Sequence, residues 1–147
     1  MYVLDTDTIG NALHRSNEFP DLVRRIKAAN QSDLWISVVT AEELIAWGFD
    51  RVRNSHNQKY PRIVNAYKIL FDRLNDLKPL QILPFDEAAY QEFSVIPAEV
   101  QIVIGTNDRR IAATALSRGL TVVTHNTQHF NLVPRLSVED WTPAPLT

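Results

Sequence analysis

The chain has no cysteine, which excludes disulfide staples and thiolate metal sites. Its four glycines form no Gly-rich phosphate loop, and no Gly-x-Ser-x-Gly is present, so nucleotide-cradling and nucleophile-elbow chemistries fall away. No apolar run approaches the length of a membrane span, and an acid at position 5 comes too early for a secretory signal. The expectation is a cytoplasmic protein with no membrane partner. A dominant charge is also lacking: the net charge is -2, so any surface for a polyanion must be local. No repeat, low-complexity tract or linker interrupts the 147 residues. With 45% hydrophobic and 22% charged residues, the chain is expected to be a single domain, 1–147, with a core that stands without staples.

Short apolar runs alternate with helical periodicity. Strands are predicted at Tyr2–Leu4, Leu34–Val39, Leu80–Leu83 and Thr121–Thr124, with a short one at Leu136–Val138. Helices are predicted at Ile9–Arg15, Pro20–Asn30, Ala41–Val52, Pro61–Leu77, Glu87–Phe93 and Asp108–Ser117. Thr40 and Asp86 stand at N-cap positions, Pro20 at a helix start and Gly119 at a helix stop. The tail Trp141–Thr147 is Pro-rich and reads as irregular. Strands separated by helices imply parallel βαβ units: an α/β fold in three layers, with a parallel sheet of four to five strands flanked by helices.

Ligand sites in such folds lie at the carboxyl ends of the strands. Strand one ends at Asp5, with Asp7 two positions on and no Lys or Arg before Arg15. Strand two leads to Thr40, Glu42 and Glu43; Asp108 opens a helix; strand four ends in Thr124, His125 and Asn126. Each acid has a plain structural reading as a helix cap or a first-turn acid. One cap needs one side chain, however, and "DTDT" offers four polar groups to a short helix. Glu43 lies one turn from Trp47 and is the better candidate to face inward, with Glu42 as its competitor. His125 and His129 have a metal-like spacing but no accompanying third ligand. Three clustered carboxylates repel one another, and a divalent cation removes that repulsion. An oxygen-only donor set suits Mg²⁺ or Mn²⁺, ions that serve phosphate-ester hydrolysis.

Four stretches carry a resemblance: "YVLDTDTIG", "ISVVTAEELIAWG", "IGTNDRRIAATAL" and "RGLTVVTHNTQHFNLVPRLSVEDW". In order, and nearly end to end, they resemble the PIN-domain ribonucleases, specifically the VapC-type toxins of bacterial toxin–antitoxin pairs. The resemblance implies a Mg²⁺-dependent endoribonuclease that cuts structured RNA of the translation machinery. Asp5, Glu43 and Asp108 would be its metal-binding and catalytic acids. Asn126 stands where many PIN domains carry a fourth acid, and Asp7 and Thr124 would support the site. A small antitoxin partner and a homodimer are implied as well.

The residues add two expectations. From Arg51 to Lys78 seven basic residues face only Asp72 and Asp76, so Arg62 and Lys68 are expected along an RNA path, with Arg109 and Arg110 near phosphates, or Arg109 paired to a neighbouring acid. Trp47, Phe49, Tyr60, Tyr67 and Phe71 are expected to leave an exposed patch that marks an interface. Two other readings stay open. An apolar strand followed by Asp-x-Asp-x-Thr also resembles haloacid-dehalogenase-type phosphatases, with Asp5 as nucleophile, although none of Lys27, Lys59, Lys68 or Lys78 follows a strand end. A catalytically silent PIN-like binding module is the other, and it would be expected to lose one of the three acids.

Overall fold

The computed structural model describes residues 1–142. Five parallel strands form one sheet: β1 (Tyr2–Leu4), β2 (Leu34–Ser37), β3 (Ile82–Leu83), β4 (Thr121–Val123) and β5 (Ser137–Glu139), in the order β3-β2-β1-β4-β5. The central strand β1 pairs Tyr2, Val3 and Leu4 with Leu34, Trp35 and Ile36 on one side and with Thr121, Val122 and Val123 on the other. The helices that make the crossovers are α1 (Thr6–His14), α2 (Pro20–Ala28), α3 (Val38–Arg53), α4 (Arg62–Leu77), α5 (Glu87–Ser94), α6 (Ala98–Val103), α7 (Thr106–Leu116) and α8 (Thr127–Phe130).

The pleat sends successive residues to opposite faces, and here both faces are covered. Val3 and Val122 face one core, with Ile96, Val100, Ile104, Ile111, Ala112 and Phe130. Leu4, Ile36 and Val123 face the other, with Ile9, Leu22, Leu44 and Trp141. Three layers result, with Asp5, Ser37 and Thr124 at or just beyond the carboxyl ends of the middle strands.

Several predicted boundaries move. β2 ends at Ser37 rather than Val39, and Ser37 rather than Thr40 is the N-cap, its Oγ accepting from the Thr40 N–H at 3.0 Å. The β-branched pair Val38–Val39 mimics strand sequence, but a satisfied cap starts the helix before it. Consequently Glu42 and Glu43 lie past the first turn of α3. Helix α1 begins at Thr6 instead of Ile9, because Asp5 is its cap. Asp86 caps α5 as expected, and Gly119 has φ +62 after α7. Helix α7 begins at Thr106 after Gly105, so none of Thr106, Asn107 and Asp108 is its N-cap. Helices α6 and α8 are additional. Residues 143–147 of the Pro-rich tail lie outside the described residues; Trp141 is buried against the second core.

Helices α3 and α4 form a hairpin that crosses closely at Gly48. A Cβ there would stand 3.0 Å from the Leu70 Cα and 3.2 Å from its Cδ1. The near atom is backbone, which cannot swing aside. Gly48→Val is therefore expected to cost about 1–3 kcal/mol through overpacking and to lower Tm by several degrees. Calorimetry checks this, and an unchanged Tm would show that the hairpin separates freely.

Candidate active site

Asp5 is only 4% exposed, at the end of the central strand. Its backbone N–H continues the ladder to the Val123 carbonyl at 3.1 Å. Its carboxylate does two jobs. One oxygen accepts from the Thr8 N–H at 2.7 Å, which is the helix cap. The other accepts from the Thr124 hydroxyl, reaching across to the end of β4. The Thr124 oxygen in turn accepts from the Asn126 N–H at 2.9 Å. So the capping role is real, yet it uses one oxygen of Asp5 and leaves the other for a contact 119 residues away in sequence. Burial pushes the Asp5 carboxyl above the ordinary Asp range; the hydrogen bonds from Thr124 and Thr8 oppose the shift, and Asp7 adds to it.

Glu43, not Glu42, faces the site. Glu42 is exposed, whereas Glu43 is partly buried and held at both oxygens. The Thr6 hydroxyl donates to one, and the Asn107 side-chain amide donates to the other at 2.8 Å. Those donors sit on α1 and α7, so Glu43 ties three elements together. The Arg110 guanidinium donates to the Asn107 carbonyl oxygen at 3.1 Å and so orients the amide that holds Glu43.

Asp108 lies in the first turn of α7. The positive end of a helix favours an ionised acid there. The surroundings outweigh it: burial raises the Asp108 carboxyl first, followed by the charges of Asp5, Glu43 and Asp7, with His129 opposing. Asp5, Glu43 and Asp108 thus converge electrostatically, with Asp7 exposed beside them. Among the described residues, no three acidic or imidazole side chains are placed close enough together to enclose an ion. A cation held by these three acids would have to draw them inward or reach some of them through water.

The remaining candidates divide. The Asn126 amide meets the His129 Nδ1 at 3.0 Å, while the His125 Nδ1 meets Asp140 at 3.0 Å; the two imidazoles therefore serve different partners. Arg109 donates to Thr106 at 3.1 Å and stacks over Phe93 at 5.4 Å, and Arg110 lies over the same ring at 6.0 Å. Both back α7 onto α5, and neither pairs with an acid among the described residues. Arg62 is exposed beside Gln58, and Lys68 is paired to Asp72 at 2.7 Å. Arg51 and Arg62 line a groove of about 410 Å³ on the α3–α4 hairpin. From the basic run, Arg73 is the residue that borders a cavity with Glu43, together with His14, Leu44 and Trp47. Thr6 and Asn107, which hold Glu43, were not singled out from sequence. Their signal was present only as polar residues adjoining Asp5 and Asp108.

A family model described as "PIN domain" matches residues 2–136. A tRNA(fMet)-specific endonuclease VapC from Salmonella typhimurium is 28% identical over 143 residues, covering 95% of this chain and 97% of that one. A tRNA(fMet)-specific endonuclease VapC from Shigella flexneri is 30% identical over 125 residues, covering 83% and 86%. The crystal structure of DNA-bound VapBC from Salmonella typhimurium aligns with a TM-score of 0.70 at 28% identity, over 95% of this chain and 97% of that chain. These similarities favour neither the phosphatase nor the silent binding module.

Proposed function

The chain belongs to the PIN-domain family, and on that premise we propose that it is a divalent-metal-dependent endoribonuclease, the VapC-type toxin of a toxin–antitoxin pair, acting in the cytoplasm on structured RNA of the translation machinery. The observation that carries the reading is that Glu43 accepts from both Thr6 and Asn107, the chain neighbours of Asp5 and Asp108, which brings the three acids to one edge of the sheet. The donor set is carboxylate alone, which fits Mg²⁺ or Mn²⁺ held by Asp5, Glu43 and Asp108. Such an ion, when bound, neutralises charge on a phosphodiester and makes a water more acidic.

The chain's own residues supply position. Thr8 and Thr124 fix the two oxygens of Asp5, and Thr6 and Asn107 fix those of Glu43. The Thr124 hydroxyl hydrogen is committed to Asp5 and its oxygen to the Asn126 N–H. Thr124 and the neutral Asn126 amide therefore position acids and water and take no proton near neutral pH. Substrate grip would come from cations around an acidic centre: Arg73 borders a cavity with Glu43, Arg62 is exposed on the same helix, and Lys68 would have to exchange Asp72 for a phosphate. The Salmonella relative of known structure is a complex named VapBC, which supports a small antitoxin as partner here. On the hairpin, Trp47, Phe49, Tyr67 and Phe71 are 46%, 51%, 54% and 62% exposed, an apolar surface that supports a homodimer.

Incubation of the purified chain with total RNA, with Mg²⁺ or with excess EDTA, tests the reading. Discrete internal cuts are expected with Mg²⁺ and none with EDTA. Hydrolysis of a phosphomonoester without RNA cleavage would overturn it.

A further inference from the structure

A polar cleft of about 630 Å³ opens beside Asp7. Its walls are Asn11 and Arg15 of α1, His125, Thr127 and Gln128 around the start of α8, and Asp140 beyond β5. Two further wall residues adjoin the acid cluster: Asp7 lies two positions after Asp5, and the Asn126 N–H donates to the Thr124 oxygen that holds Asp5. The cleft is therefore continuous with the place where a phosphodiester would react, and its volume lies in the range of small-ligand sites. We propose that it receives the nucleoside adjoining the scissile phosphate and discriminates among bases through the amides of Asn11 and Gln128. This rests on the nuclease reading above.

The chemistry of the walls favours a base over a bare phosphate. A phosphate site needs converging cations. Here the two cationic or basic groups face two carboxylates, Asp7 and Asp140, and Arg15 is already bound to Glu18 and stacked 5.2 Å over Phe19. What the walls offer in surplus is amides, each with a donor and an acceptor side by side. That pattern matches the Watson–Crick and Hoogsteen edges of an unstacked base. Gln128 is exposed, and among the described residues the Asn11 amide is engaged only by a long 3.4 Å contact from Arg15. The His125 side chain is 67% exposed, yet its Nδ1 is held by Asp140 at 3.0 Å and Thr142 at 2.8 Å. Fixing an exposed ring at one nitrogen costs rotamer freedom. It also presents a preset aromatic face, as stacking against a base requires. Asp140, saturated by His125 and the Thr142 N–H and hydroxyl, is a positioning residue.

The test is cleavage of a randomised RNA pool in Mg²⁺, with the cut ends sequenced. Native chain, Gln128→Ala, Gln128→Glu and the Asn11→Ala/Gln128→Ala double variant are compared, with melting curves for each. The native chain should favour one base next to the cut. In the double variant that preference should fall by about tenfold or more, as loss of a bidentate base contact does, while preferences at other positions stay. Gln128→Glu, which exchanges an amide for an acceptor-only group, should change which base is favoured. A folded double variant that keeps the native preference overturns the cleft assignment and leaves the nuclease reading intact. A native chain that cuts neither the pool nor total RNA overturns both.

Discussion

Asp108→Asn should silence RNA cleavage and yet melt at a higher temperature than the native chain when divalent ions are removed. Loss of a supporting partner around a metal site costs about 10–100-fold, and removal of an acid at its centre should exceed that, so the fall should be more than about a hundredfold. Stability moves the other way. The Asp108 carboxyl is pushed up by burial and by the charges of Asp5, Glu43 and Asp7. An amide of the same shape carries none of that charge, so the variant loses the repulsion. A matched pair of measurements reads both effects, single-turnover cleavage in Mg²⁺ and thermal melting in EDTA. Normal cleavage by the variant would remove Asp108 from the mechanism. An unchanged or lower Tm in EDTA would mean that the acids are too far apart to repel.

The same groups give the effect a pH dependence. Asp5 and Asp108 have folded-state pKa values above the ordinary Asp value of 3.8. The folded chain therefore holds more protons than the unfolded one through the window just above that value. Stability from these two groups falls as pH rises through the window and recovers as pH is lowered. Asp86 and Asp140 are shifted the other way, Asp86 chiefly by the Ala89 backbone N–H and Asp140 by bonds from Thr142, and they gain stability as pH rises. The comparison that isolates the site is thus native against Asp108→Asn at each pH. The advantage of the variant in EDTA should widen as pH rises above the ordinary Asp value toward neutrality and close toward low pH, where the native acid is already protonated.

Asp5 could be placed from sequence because a strand that short exposes its end: Val3 and Leu4 go to opposite cores, and the next residue has to meet water or a partner. At Thr106–Asp108 three polar residues compete on paper for one cap, but Gly105 takes it and Asp108 sits in the first turn of α7. Glu43 was narrowed to a pair of residues and no further. What settles it is an amide 64 positions away, at Asn107, and no local pattern announces such a contact. The start of α3 was misplaced because Val38 and Val39 carry strand-like side chains, while the deciding interaction is one hydroxyl at Ser37. Helices α6 and α8, with six and four residues, are too short for a 3.6-residue period to show. The basic run was visible as composition, but its pairing was not: Lys68 is spent on Asp72, and Arg73 is turned toward His14 and Asp76. Composition counts charges; only the fold says which of them remain free for a polyanion.

Mg²⁺ added to the metal-free chain should raise its melting temperature by roughly 5–10 °C at a hundredfold excess over Kd, the equivalent of about 2.7 kcal/mol for a domain of this size. The argument is one of linkage. Asp5, Glu43 and Asp108 come from β1's end, α3 and α7, and the unfolded chain has no reason to hold them together. An ion that needs all three binds the folded state and stabilises it by mass action. Protons compete for the same oxygens, and burial and mutual charge have already raised the Asp5 and Asp108 carboxyls. The rise should therefore be larger at pH 7.5 than at pH 5.5. It should also vanish in Asp108→Asn, and it should not be reproduced by NaCl at equal ionic strength, which screens surface charge without bridging the acids. A Tm that climbs equally with NaCl, or equally in the variant, would mean that the three carboxylates hold no ion and that the opening acid of the chain is a helix cap alone.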